Sequence, residues 1–232
     1  NGTGAYSTYL GYAAGPNVTT ASGGYNTGLG YAALINTTTG SSNTAVGYNV
    51  MFNTSSGANN TAVGTQALQS NTTASNNTAV GYQAGYSNTT GTRNAYFGYV
   101  AGYANTTSND NTGFGYSALY QTTGTLNTAI GSGAMFASGS GGANTAVGVS
   151  ALTSNTSGGF NTAQGAYALQ SNTTGGNNTA IGFAALSANT TAFSNTAVGY
   201  KAGNSNQTGG NSVLIGYYAG YTGTDLDFTV AV

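Results

Sequence analysis

Cysteine, histidine, glutamate and tryptophan are missing from this sequence, and proline occurs once, at Pro16. Without cysteine there is neither a disulfide framework nor a thiolate metal site, and stability has to come from packing and hydrogen bonds. Without histidine or glutamate there is no ordinary general base, and the only carboxylates are Asp110, Asp225 and Asp227. Catalysis is therefore not expected, and no cofactor or metal is implied. Asp225 and Asp227 form a lone Asp-x-Asp, a weak signal for a hard cation.

Positive charge is equally scarce. Arg93 and Lys201 are too few to neutralise a phosphate backbone or hold an anionic membrane surface, so the pattern excludes nucleic acid as an electrostatic partner. No apolar run approaches the roughly 18 residues of a spanning helix, so membrane insertion is not expected either. The many glycine-containing turns lack the lysine and the following helix of a phosphate cradle. The chain opens at Asn1 without a methionine or a basic leader, as a cut through a longer repetitive protein would.

What is present is a repeat. Units begin at Ser7, Asn26, Asn43, Asn60, Asn77, Asn94, Asn111, Asn127, Asn144, Asn161, Asn178, Asn195 and Ser212, spaced 17 residues apart save one of 19 and one of 16. So short and regular a period predicts an all-β parallel β-solenoid, a β-roll of about thirteen 17-residue coils spanning 7–223. Residues 1–6 are then a partial coil or cut end. The tail, 224–232, abandons the repeat and is expected to cap the stack or begin another segment.

Within a unit the fourth, sixth and eighth residues alternate with their neighbours, as Val80, Tyr82 and Ala84 do, which is a strand period. A strand of about six to eight residues is expected, with the fourth-position apolar column, including Val63, Val80 and Val147, as the buried seam. The fifth residue is glycine throughout. Gly47, Gly64, Gly81, Gly98, Gly115, Gly131, Gly148, Gly165, Gly182 and Gly199 form a ladder that implies a bend or a close backbone contact. The Asn-Thr-Thr-Gly half of the unit reads as turns.

Three columns are candidate sites. Asn17, Asn36, Asn53, Asn71, Asn88, Asn105, Asn155, Asn172, Asn189 and Asn206 each begin an Asn-x-Thr or Asn-x-Ser triplet in the expected turn, where an N-glycosylation acceptor would be exposed. The same triplets are also good turn chemistry. An aromatic column at the sixth position runs through Tyr12, Tyr31, Tyr48, Tyr82, Tyr99, Tyr116, Phe183, Tyr200 and Tyr217, with a further set at the tenth. It fits either a carbohydrate or protein contact surface or aromatic cover over a core or subunit interface. The second-position column, Thr44, Thr61, Thr78, Thr145 and their counterparts, is either a hydroxyl array of the ice-binding kind or a set of hydroxyls bonded along the stack or covering a subunit seam.

At Asn211-Ser212-Val213-Leu214-Ile215-Gly216 the chain resembles the Asn-Ser-Val-Ala-Ile-Gly signature of trimeric autotransporter adhesin heads, whose short repeats coil into a parallel β-roll. The units written Asn-Thr-Ala-Val-Gly-Tyr are similar to repeats of tail-fibre-like and surface proteins of phages and bacteria. Together the pattern and the resemblance suggest a structural segment of an extracellular fibre or surface appendage at a cell or virion surface. Its expected partners are copies of itself, in a filament or a homotrimer, with carbohydrate a further candidate. A receptor-binding adhesin head or tail fibre, and an ice-binding solenoid, are the alternatives.

Overall fold

The computed structural model describes residues 6–16 and 23–232. The chain divides into two compact units, Asn1–Gly113 and Phe114–Val232, each built on the same plan. No helix occurs among the described residues, and each coil contributes one short strand. In the first unit these are β1 (Thr8–Leu10), β2 (Thr27–Leu29), β3 (Thr44–Val46), β4 (Thr61–Val63), β5 (Thr78–Val80) and β6 (Ala95–Phe97), while β7 (Thr112–Phe114) carries the boundary. The second unit holds β8 (Thr128–Ile130), β9 (Thr145–Val147), β10 (Thr162–Gln164), β11 (Thr179–Ile181), β12 (Thr196–Val198), β13 (Val213–Ile215) and β14 (Val230–Ala231).

Pairing is parallel and in repeat register: Thr44 lies beside Thr61, Ala45 beside Ala62 and Val46 beside Val63, and the second unit repeats this with Thr162, Ala163 and Gln164 beside Thr179, Ala180 and Ile181. The all-β parallel solenoid is thus the fold. Strands β1 to β13 are three residues long rather than six to eight, because the fifth-position glycine turns the chain out of the β region, at φ of +132° to +142°. A Cβ on Gly47 would sit 2.6 Å from the Gly64 carbonyl oxygen, and one on Gly131 2.5 Å from that of Gly148. Both the dihedral and the close approach of the next coil therefore require glycine here.

Beyond the strands, backbone bonds continue round the coil. Gln66 N donates to Tyr48 O at 2.8 Å, Leu68 N to Ala84 O at 3.0 Å and Ser55 N to Thr72 O at 2.8 Å. Reaching those partners takes left-handed residues at the seventh, ninth and seventeenth positions. The ninth-position Leu and Met residues, among them Leu34, Met51, Leu68 and Leu186, hold φ of +46° to +58°. Such a conformation costs a residue with a Cβ about 1–2 kcal/mol, and burial of each of those side chains returns about 1.5–3 kcal/mol.

The interior corrects the expected seam. Ala45, Ala62, Ala79, Ala146 and Ala180 at the third position are fully buried, together with the eighth-position alanines and the ninth-position Leu or Met. Fourth-position residues point the other way: Val63 is 37% and Ile130 42% exposed, and Val80 and Val147 are half-buried. The coil is too narrow for two large apolar side chains, so the third position takes alanine where the ninth takes leucine. Where the ninth is glycine, a large third-position residue of the same coil or the next one fills the space, as Tyr96 also does at Gly85. Tyr96 fills the space at Gly102, Leu214 that at Gly203 and Gly220, and Tyr9 that at Gly15.

Polar side chains complete the interior. Within each unit, first-position asparagines accept the backbone N–H of the first residue of the next coil on Oδ1, as Asn43 does from Asn60 at 3.0 Å and Asn144 from Asn161 at 2.9 Å. Its Nδ2 donates across its own coil, from Asn60 to Ala74 O and from Asn161 to Gly175 O, both at 2.9 Å. The C-terminal tail joins this scheme. Thr229 takes the first-position place, its N donating to Ser212 Oγ at 2.8 Å, and β14 pairs on β13 with Val213 beside Val230 and Leu214 beside Ala231.

Candidate functional site

With the third position turned inward, the second and fourth are turned outward on every strand, and the face they make is uncharged. In the first unit it carries Thr44, Thr61 and Thr78 beside Leu29, Val46, Val63 and Val80; in the second, Thr128, Thr145, Thr179 and Thr196 beside Ile130, Val147, Ile181 and Val198. The most exposed of the apolar set are Leu10 at 67% and Phe114 at 57%. Aliphatic side chains left in water in successive coils make an apolar stripe on each unit, broken in the second by Gln164, the kind of surface that marks a contact site.

The threonine hydroxyls on this face differ from those elsewhere on the coil. At the thirteenth position Thr38, Ser55, Thr72 and Thr89, and in the second unit Thr156, Thr173 and Thr190, each donate to the backbone carbonyl of the equivalent residue one coil on, at 2.9–3.1 Å. Among the described residues, no such bond is made by the second-position hydroxyls of Thr44, Thr61, Thr78, Thr145, Thr162, Thr179 or Thr196. The reading in which these hydroxyls bond along the stack is therefore corrected. The strand lets only its backbone reach the neighbour, leaving each hydroxyl to solvent or to a partner.

The sixth-position aromatics are exposed, and they stack. Tyr12 lies on Tyr31 at 5.3 Å between centroids, Tyr31 on Tyr48 at 5.2 Å and Tyr82 on Tyr99 at 5.1 Å; in the second unit Phe183 lies on Tyr200 at 5.3 Å and Tyr200 on Tyr217 at 5.4 Å. Their role as cover over the coil's own core is thus excluded, since that core is closed by Ala and Leu beneath them. Because the inner rings hide their faces against each other, the column offers ring edges and phenol oxygens rather than the flat faces on which a sugar ring stacks. Thr65, Ser132, Val149 and Ala166 interrupt it.

Asparagines of the triplet column divide by position. Asn36 and Asn53, at the eleventh position, are exposed, and Asn17 lies outside the described residues. Asn71, Asn88, Asn105, Asn155, Asn172, Asn189 and Asn206, at the twelfth, are fully buried, which corrects the exposure expected of a turn column. Their amide nitrogens, the atoms a sugar would need, are already bonded inside the coil. Asn88 Nδ2 donates to Gly91 O at 3.0 Å, Asn155 Nδ2 to Gly158 O at 2.7 Å and Asn206 Nδ2 to Gly209 O at 2.8 Å. Alternation was the missed signal: early coils carry Thr37 and Thr54 at the twelfth position, both buried, and move asparagine one residue outward.

Charge plays a local part. Arg93 grips Asp110 one coil away through Nε to Oδ1 at 2.6 Å and Nη2 to Oδ2 at 2.8 Å, holding that carboxyl below the usual carboxylate range. Lys201 Nζ lies 5.5 Å from the centroid of the Tyr200 ring and 5.7 Å from that of Tyr218. Asp225 and Asp227 do not converge, since Asp225 Oδ1 accepts from Thr208 Oγ1 and Asp227 Oδ1 from Gly210 N. An open hollow of about 480 Å³ on the second unit, between Leu126 and Phe160 over Ala143, is lined without any titratable group.

The fold and these columns define a tandem-repeat protein of the parallel β-solenoid class. No protein-family model matches the chain, and no curated protein matches it.

Proposed function

We propose that this chain is a structural segment of an extracellular fibre or surface appendage, and that copies of it assemble through the outward strand face. The observation that supports this most is the exposed apolar stripe on each unit, with Leu29 and Val63 on the first and Ile130 on the second, flanked by unpaired threonine hydroxyls and free of charge. Such a face loses little on leaving water, and another copy presents the same mixture of methyls and hydroxyls in the same repeat. Burying the fourth-position residues would contribute about 25 cal/mol for each Å² of apolar surface removed from water.

Native mass spectrometry and electron micrographs test the assembly. A fibre segment gives open-ended filaments or side-by-side bundles, whereas an adhesin head or tail-fibre receptor module gives a discrete trimer. A strictly monomeric chain at high concentration would overturn self-association in both forms. Ice binding is a second reading, favoured by the same unpaired hydroxyl row, and a thermal hysteresis assay on the monomeric chain decides it. Carbohydrate binding is the weaker partner reading, because the inner tyrosine rings are covered by their neighbours.

A further inference from the structure

We propose that the stacked tyrosine columns are sites of oxidative cross-linking, where a one-electron oxidant joins phenols of successive coils into dityrosine staples. Four features of the columns carry this. Tyr82 and Tyr99 lie 5.1 Å apart with their planes 13° from parallel, and Tyr12, Tyr31 and Tyr48 continue the same geometry at 5.3 and 5.2 Å. Tyr200 and Tyr217 repeat it in the second unit at 5.4 Å. All of these rings are exposed, so an oxidant reaches them and the side chains have room to swing from face-on to edge-on. Finally, the solenoid holds successive Cα atoms one strand spacing apart, about 4.8 Å, so equivalent ring carbons stay together without any diffusive search.

The chemistry balances with hydrogen peroxide and a haem peroxidase as oxidant. Each of two phenols gives up one electron and one proton, leaving two phenoxyl radicals with spin on their ortho carbons. A carbon–carbon bond forms between those ortho carbons, and the two ortho hydrogens move as protons to the oxygens, restoring both phenols. One peroxide takes up the two electrons and two protons and leaves as two waters. The product joins residues of neighbouring coils covalently in a chain with no cysteine to do so.

Phenylalanine supplies internal controls. Phe183 stacks on Tyr200 at 5.3 Å and 10°, in the same geometry but without a phenol, and Thr65 separates Tyr48 from Tyr82 by two coils. The folded chain, dilute enough to be monomeric, is treated with peroxide and haem peroxidase, proteolysed, and its linked peptides mapped by mass spectrometry. The expected products are intrachain links Tyr82–Tyr99, Tyr31–Tyr48 and Tyr200–Tyr217, with the dityrosine fluorescence that accompanies them. Tyr99→Phe, which keeps the stack, abolishes the first link and leaves the second unchanged. A map that is the same in denaturant, a Tyr48–Tyr82 link as abundant as Tyr82–Tyr99, or absence of dityrosine would each overturn the proposal.

Discussion

Asn161 and Asn172, eleven residues apart, donate their amides to one carbonyl, Gly175 O, at 2.9 Å each. The same convergence recurs with Asn77 and Asn88 on Gly91 O, Asn144 and Asn155 on Gly158 O, and Asn195 and Asn206 on Gly209 O. Two buried asparagine columns thus close each coil across its interior. The first-position column bonds the backbone of the next coil, since Asn161 Oδ1 accepts Asn178 N at 3.0 Å, whereas Asn172 of the twelfth-position column meets the next coil through a side chain, Asn189 Nδ2 donating to its Oδ1 at 2.9 Å.

This asymmetry predicts unequal costs of truncation. Asn161→Ala strands the buried Asn178 N–H as well as removing a donor, and should cost about 2–4 kcal/mol. Asn172→Ala leaves Gly175 O and Asn189 Nδ2 each with another partner and takes a donor only from the side-chain oxygen of Asn155, and should cost about 1–2 kcal/mol. Urea denaturation of the two variants checks the order.

At the triplet asparagines, peptide mapping of native material should find Asn71, Asn88, Asn105, Asn155, Asn172, Asn189 and Asn206 unmodified. Their amides are buried and bonded, and a sugar on any of them would require the coil to open. Any modification should be confined to exposed triplet asparagines of the described chain, Asn36 and Asn53 together with the Asn59, Asn76 and Asn177 that each open an Asn-Asn-Thr.

The trade between the third and ninth positions predicts a rescue. Gly102→Leu alone drives a side chain into the Tyr96 ring, and Tyr96→Ala alone opens a cavity costing about 3–5 kcal/mol. Together they recreate the alanine–leucine pairing of ordinary coils, and at its left-handed φ of +63° Gly102 already has the backbone that Leu68 adopts at +48°. The double variant should be more stable than either single one, by a thermal melt. Some deficit remains, because Gly85 also packs on Tyr96.

Stability should fall in alkali. Burial pushes the Tyr96 phenol well up from its ordinary range, and the amide of Asn105, donating to its oxygen at 2.7 Å, offsets only part of that. A group raised on folding contributes fully below its unfolded pKa, about 10, and loses that contribution as pH rises further. Melting temperature should hold up to that pH and then drop, and Tyr96→Phe should lessen the drop while losing the Asn105 bond, worth about 1 kcal/mol.

Much of this was legible in the sequence. The period placed every strand within its coil, and glycine at the fifth position marked the point where neighbouring backbones nearly touch. Facing was misread because both strand faces look apolar: Ala62 and Val63 alike could line a core, and size favours valine until the narrowness of the coil is known. The pairing of Tyr96 with Gly102 and of Leu214 with Gly220 carried that information, since only residues sharing one interior need to exchange volume. Left-handed leucines at Leu34 and Leu68 gave no local signal, as it is packing, not propensity, that holds them. Nor did the asparagine triplets reveal their burial, because turn formers and interior hydrogen bonders are the same residue type.

Cysteine accessibility tests most directly whether the outward strand face is where copies meet, and the absence of native cysteine makes it clean. In the dilute, monomeric chain, the thiol of Ala62→Cys should resist alkylation until unfolding, while that of Val63→Cys should react at once. On concentration into the assembled state, the Val63→Cys thiol should become protected in step with the rise in mass. A Val63→Cys thiol that stays equally reactive in the assembly, or an Ala62→Cys thiol that reacts in the folded monomer, would contradict the account.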